Sequence, residues 1–170
     1  MKKRLSFLGA ITLLGTSTTS LVACNNNIPQ YNEDELQQLK KENQICTNCQ
    51  EIKENLEWIC PQEQPFNTVD NKWYYVVWRG EENEEWKITK FKQSDLQNKV
   101  LDSYNEYQLK IHQGDSGLII YENKFPYRVW GWHLDTSGRY FKAVYRWNGD
   151  EQKLPDLIVD NNGNVKVNSE

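Results

Sequence analysis

The chain has 170 residues and a net charge of −4, and 12 % of its residues are aromatic. This length suits one domain of usual size, and the aromatic content argues against a disordered chain. The acidic balance argues against binding of nucleic acid through a basic surface, because that mode needs clustered lysine and arginine. We therefore expect a folded domain with no nucleic-acid partner.

The first 23 residues have the three-part layout of a secretory signal. Lys2, Lys3 and Arg4 come first, an apolar segment covers residues 5–14, and small or polar residues follow up to Ser20. The apolar segment is far shorter than the roughly 20 residues that cross a bilayer. A transmembrane helix is therefore disfavoured, and plain secretion with a chance cysteine is the remaining alternative to lipid anchoring.

The stretch Leu21-Val22-Ala23-Cys24 resembles the lipobox of bacterial lipoproteins. The resemblance implies that the Cys24 thiol receives a diacylglyceryl group with palmitate as an acyl chain, and that signal peptidase II cleaves between Ala23 and Cys24. Cleavage would remove three positive charges and no negative ones, which takes the net charge from −4 to −7. We assign residues 1–23 to a lipoprotein signal peptide and residues 24–31 to the lipidated cysteine and a flexible tether.

A wider resemblance rests on this leader, the lipobox and the segment Lys-Trp-Tyr-Tyr-Val-Val-Trp-Arg-Gly at residues 72–80. Together they look like small surface lipoproteins of wall-less bacteria, of the mollicute and spiroplasma type. The resemblance implies a location at the cell membrane, lipid-anchored on its extracytoplasmic face. It implies no activity, because such proteins mostly lack an assigned one.

Residues 32–60 are predicted to form a helical segment. Asn32 and Glu35 have the spacing of a capping box, and acidic residues fill the first turn. A later apolar set recurs at spacings of four and three, and consists of Ile45, Cys49, Ile52, Leu56 and Ile59. The two parts are out of phase, so a break near Asn43 is expected. Residues 61–71 contain two prolines and are predicted to be a linker.

Residues 72–168 are predicted to form an antiparallel β domain. The segments with strand-like patterns are Trp73–Trp78, 86–91, 100–101, 107–111, 118–121, 127–134, 139–147, Leu157–Val159 and Val165–Val167. The pairs Asn148-Gly149 and Asn162-Gly163 are turn signals of the kind that adopts positive φ. The predicted fold class is α+β, with an N-terminal helical stretch followed by an antiparallel β-meander of short strands.

One motif suggests nucleophilic catalysis. Gly114-Asp115-Ser116-Gly117 matches the nucleophile signature of trypsin-like serine proteases, which also need a histidine that the family places well upstream of the serine. Here His112 is only four residues before Ser116, and His133 follows it. A turn between two strands explains the same residue types. We therefore expect no catalytic residue and predict that the chain is not an enzyme.

Three cysteines besides Cys24 form a second candidate cluster: Cys46, Cys49 and Cys60. In a continuous helix, Cys49 and Cys60 would be about 16 Å apart along the axis, too far for a disulfide. A zinc site would need a fourth ligand, and a thioredoxin-like site would need a βαβ context. We expect structural or free thiols, no metal and no cofactor, with metal binding and redox chemistry as the alternatives.

Tryptophan and tyrosine crowd the predicted strands. They form either a core with few aliphatic residues or a surface that presents aromatic rings to a protein or glycan ligand. The candidate ligand-contact residues are Trp73, Trp78, Trp130 and Trp132. The predicted function is that of a lipid-anchored, non-catalytic binding or interaction module whose partners are the membrane, through Cys24, and this ligand. An extracytoplasmic enzyme, either a hydrolase or a thiol-redox protein, and a purely structural surface protein are the alternatives.

Overall fold

The computed structural model of the chain describes residues 29–95, 97–112, 117–124 and 129–168. The predicted signal peptide, the lipobox with Cys24, and residues 114–116 of the nucleophile motif lie outside the described residues. Within the described part, no helix has the length and apolar character needed to cross a membrane.

Two short helices and one strand occupy the segment that was predicted to be helical. Helix α1 covers Glu33–Glu42 and begins at the expected capping box, in which the Asn32 side chain accepts from the Glu35 N–H and the Glu35 carboxylate accepts from the Asn32 N–H. Helix α2 covers Gln50–Asn55. The prediction of a helix beyond α2 is wrong. Leu56–Trp58 is a strand because its backbone pairs with a distant strand of the sheet.

The described residues form ten strands, each antiparallel to its partners. In chain order they are β1 (Leu56–Trp58), β2 (Trp73–Trp78), β3 (Lys87–Lys92), β4 (Lys99–Tyr104), β5 (Tyr107–His112), β6 (Gly117–Glu122), β7 (Val129–Gly131), β8 (Phe141–Trp147), β9 (Leu157–Val159) and β10 (Val165–Val167). A central sheet has the order β1-β8-β2-β3, a second sheet has the order β4-β5-β6-β7, and β9 pairs with β10. The prediction of antiparallel sheets of short strands is confirmed.

The strand order departs from a simple meander. The second sheet is a meander, but β8 lies between β1 and β2 in the central sheet. The strand predicted over 127–134 is shorter than expected, because Trp132–Leu134 turns into a 3-10 helix after β7. Of the two predicted asparagine–glycine turns, Gly163 has the expected positive φ of 82°, whereas Gly149 does not have a positive φ.

Strand β2 is buried on both faces of the central sheet. Tyr74, Val76 and Trp78 pack against the second sheet, whereas Tyr75 and Val77 pack on the opposite side against the α2 region and the β9–β10 hairpin. The central sheet is therefore the middle of three layers. Burial on both faces accounts for the nearly continuous apolar sequence of β2, which alternation alone would not give.

Candidate functional site

The four candidate ligand-contact tryptophans do not form one exposed surface. Trp78 is 1 % exposed and Trp132 is 5 % exposed, and both belong to the core between the two sheets. A ligand-contact role is therefore wrong for the Trp78 side chain, which is enclosed by the core. Trp73 and Trp130 are half-buried and pack against different core clusters. The structure supports the core interpretation for most of this aromatic set.

The three cysteines differ in how far their side chains are buried. Cys46 is exposed, Cys49 is half-buried and Cys60 is buried, and all three are free thiols. Burial raises the pKa of the Cys60 thiol, which disfavours the reactive thiolate. No cluster of three or more histidine, cysteine or acidic side chains suited to a metal ion occurs in the part of the chain that the structure describes.

We expect these thiols to react with an alkylating reagent at well-separated rates. In the native protein, Cys46 should be modified first and Cys60 at least about tenfold more slowly, because Cys60 is 2 % exposed and must wait for local opening. Peptide mass mapping over time measures the order. In denaturant all three should react alike, and equal rates in the native protein would contradict the burial of Cys60.

The described part of the nucleophile motif has a structural role. Gly117 begins β6 with a φ of 109°, and a Cβ at this position would lie 2.5 Å from the Phe66 side chain. Only glycine suits both the conformation and the space. His112 is the register partner of Gly117, whereas His133 lies in the 3-10 helix after β7. The structure therefore explains one residue of the motif without catalysis.

A different feature emerges at the beginning of β8, where the central sheet has an open edge. Strand β1 pairs only with the end of β8, from Leu56↔Trp147 to Trp58↔Tyr145. The Ile59 N–H then donates to the Val144 carbonyl at 2.9 Å, and the chain turns into a 3-10 helix at Pro61. Residues 141–143 therefore have no strand partner on this side among the described residues.

The same stretch contains an irregularity on its paired side. Val77 of β2 pairs with Ala143, and the next residue, Trp78, pairs with Phe141. Lys142 is therefore the extra residue of a β-bulge and has no register partner in β2. Its side chain is exposed. The backbone of Lys142 thus lies at a sheet edge without a strand partner on either side in the described part of the chain.

Two cavities flank this open edge, and both are lined by Asn43, Lys142 and Ala143. The smaller has a volume of about 220 Å³, and residues of the core between the two sheets, such as Phe141 and Val144, line it. It is rich in aromatic side chains, with Tyr31, Trp58 and Trp132. We call residues 141–143 and these two cavities the β8 groove.

The larger cavity has a volume of about 490 Å³ and lies on the opposite face of the central sheet. Its lining includes Ile45, Tyr145 and Val165, which belong to the core cluster on the α2 and hairpin side. Two lysines, Lys142 and Lys166, and one acidic residue, Glu42, also line it. Lys166 forms an ion pair with Asp160. The groove is thus an open sheet edge with one aromatic cavity and one partly basic cavity on its two faces.

An ion-pair network fixes helix α1, which carries one wall of the groove, to the central sheet. Lys40 of α1 contacts Glu57 of β1 at 2.5 Å and Glu63 at 2.8 Å, and Arg146 of β8 contacts Glu57 at 2.7 Å. Burial alone would raise the pKa of Glu57. Hydrogen bonds from Lys40, Asn148 and Arg146 outweigh it and lower the pKa to about 2. The Tyr145 hydroxyl adds a hydrogen bond to the carbonyl of Asn43, at the end of α1.

The chain is similar to a viral protein without an assigned role. It is 25 % identical over 142 residues to the uncharacterized protein ORF1 of Spiroplasma virus SpV1-R8A2 B. The match covers 82 % of this chain, which spans only 14 % of the length of that curated relative. No protein-family model and no solved structure matches the chain.

Proposed function

We propose that the protein is a lipid-anchored binding module on the extracytoplasmic face of the cell membrane, with the β8 groove as its binding surface and no catalytic role. The observation that carries the binding role is the open end of β8 between two cavities. Concave surfaces with apolar walls and a few polar groups are the usual places for ligands. The anchor rests on the lipobox resemblance of Leu21-Val22-Ala23-Cys24.

The similarity to a Spiroplasma virus protein is in keeping with the spiroplasma-type resemblance of the leader, although that relative is uncharacterized and adds no ligand. A lipid at Cys24 would also orient the domain. A chain spans at most about 3.5 Å per residue, so Pro29 would lie within about 17 Å of the anchored residue. Because Pro29 lines the smaller cavity, the β8 groove would be close to the membrane surface.

Replacing Cys24 with serine tests the anchor. We expect Cys24→Ser to abolish incorporation of labelled palmitate and to move the protein from the detergent phase to the aqueous phase, because two acyl chains supply the membrane affinity. Cys46→Ser is the matched control: it removes an exposed thiol of the folded domain and should change neither result. Retained label in Cys24→Ser, or equal loss in both variants, would contradict the proposed lipid site.

A further inference from the structure

The chemistry of the β8 groove favours an extended peptide over a compact ligand. Backbone N–H and C=O groups at an open sheet edge bind best to another extended backbone, whose own groups have the same spacing. Residues 141–143 provide such an edge, centred on Lys142, which has no strand partner among the described residues. The Phe141 N–H is already bonded to the Asp135 carboxylate at 2.8 Å, so the added strand would pair with Lys142. Strand addition of this kind obtains affinity from main-chain hydrogen bonds and specificity from pockets for alternate side chains.

The two cavities are arranged as this mode requires. Successive side chains of a strand point to opposite faces of a sheet. The aromatic cavity lies on the face of Phe141 and Val144, and the partly basic cavity lies on the face of Tyr145. A strand added to the edge would therefore place one side chain in the aromatic cavity and its neighbours on the basic side.

The charges at the edge indicate which side chains fit. Lys142 lies at the centre of the groove, is exposed, and forms no ion pair with a described residue. Lys166 lines the same side, although Asp160 already partly neutralises it. Glu42 also lines this side, where its carboxylate accepts a hydrogen bond from Gln38, so Lys142 is the lining cation without an acidic partner among the described residues. A carboxylate beside Lys142 would gain a favourable charge interaction, whereas a cationic side chain would be repelled.

We propose that the β8 groove binds an extended partner peptide by strand addition to residues 141–143, with an apolar side chain in the aromatic cavity and a carboxylate beside Lys142. The inference rests on the proposed binding role of the groove and specifies its ligand as an acidic, alternating peptide segment. It does not depend on the lipid at Cys24. Two other occupants could compete for the groove: the tether of the same chain and a second copy of the chain.

The test uses the full chain and a fluorescent, end-capped eight-residue peptide in which valine and glutamate alternate. Fluorescence anisotropy should show saturable binding, and the version with lysine in place of glutamate should bind more weakly. Two further peptides carry N-methyl groups on all valines or on all glutamates, which blocks one hydrogen-bonding edge each. At least one of them should lose binding. If both N-methylated peptides bound as tightly as the unmethylated peptide, strand addition would be overturned.

Lys142→Glu is the decisive variant. It should lower the affinity for the glutamate peptide by about tenfold and raise the affinity for the lysine peptide. Lys90→Glu is the matched control, because Lys90 is an exposed lysine on β3, the opposite edge strand of the central sheet, and should leave both affinities unchanged. Circular dichroism and the melting temperature should confirm that both variants fold.

Other outcomes would overturn the inference. If Lys142→Glu and Lys90→Glu lowered the affinity for the glutamate peptide equally, the binding would be nonspecific charge attraction. If no peptide binds and the chain self-associates in a way that Lys142→Glu abolishes, the edge belongs to a second copy. If no peptide binds the full chain but peptides bind once residues 24–28 are replaced by a glycine–serine linker, the tether is the occupant. In each case the palmitate-labelling result for Cys24→Ser would still decide the anchor separately.

Discussion

Trp78→Ala is expected to lower the free energy of unfolding by about 3–5 kcal/mol, the usual range for removing a large buried aromatic side chain. Trp78 is 1 % exposed in the core between the two sheets. Its indole N–H donates to the Thr89 hydroxyl at 2.8 Å, and that hydroxyl donates to the Asp102 carboxylate at 2.5 Å. The side chain therefore joins β2 to β3 and, through Thr89, to β4 of the second sheet. Since domains of this kind are stable by only about 5–15 kcal/mol, the variant would be marginal.

Urea denaturation of three variants measures this effect and separates its parts. Trp78→Phe keeps most of the apolar area and removes the indole donor, so it should cost about 1–2 kcal/mol. Trp130→Ala should lower the free energy of unfolding by less than Trp78→Ala, because Trp130 is only half-buried. Its ring stacks on that of Tyr140, with the ring centroids 4.2 Å apart. A Trp78→Ala protein of unchanged stability would contradict the three-layer packing and would return Trp78 to the set of candidate ligand contacts.

Glu57→Gln is expected to lower the free energy of unfolding at neutral pH by about 1–3 kcal/mol. The change removes one charge from a network in which Lys40 and Arg146 are both mostly shielded from water. Losing one member of a shielded ion pair leaves its partner with a desolvation cost that is no longer compensated, and partial exposure reduces that cost. Because Lys40 belongs to α1, the variant should also loosen the wall of the β8 groove.

The pH dependence of stability distinguishes this network from ordinary surface charge. The pKa of Glu57 is lowered from 4.5 to about 2. The stability that Glu57 contributes is therefore fully present above pH 4.5 and is lost as the pH falls towards 2. Urea denaturation at several pH values should show that the free energies of unfolding of the natural protein and of Glu57→Gln converge as the pH falls towards 2. Glu151→Gln, which removes an exposed carboxylate paired with Lys92, should leave stability nearly unchanged. A constant difference across the range would contradict the lowered pKa.

Elements encoded by local patterns could be predicted from the sequence. The capping box at Asn32 and Glu35, the apolar strand Trp73–Trp78, and the Leu157–Val159 hairpin with Val165–Val167 all depend on residues that are close in the chain. In each, side-chain chemistry and local spacing already favour the backbone conformation that the structure shows. These elements include three of the ten strands of the described residues, β2, β9 and β10.

Elements decided by distant pairing could not be predicted. Leu56 and Ile59 continue a helical spacing, yet Leu56–Trp58 becomes a strand because β8, about 90 residues later, offers unpaired backbone groups. The position of β8 between β1 and β2 has the same origin. Local propensity is a weak preference, and tertiary pairing overrides it.

The candidate site shows the same division. Sequence alone identified Trp132 as a candidate contact, and Trp132 does line the aromatic cavity, although it is mostly buried. The β8 groove itself has no sequence signature, because its lining comes from parts of the chain that are far apart in sequence, among them those around Asn43, Trp58, Trp132, Lys142 and Val165. A bulge and an edge that lacks a partner are properties of strand order, which alternation does not encode.

The proposed lipid anchor is tested most directly by intact mass spectrometry. The protein is purified from the membranes of a bacterium that processes lipoproteins. The proposal predicts a chain that begins at Cys24 and carries a diacylglyceryl group on that residue, with the mass of residues 1–23 missing. Tandem fragmentation of the N-terminal peptide would locate the lipid on Cys24. A chain that begins at Met1, or one cleaved near residue 24 without any lipid, would contradict the proposed anchor.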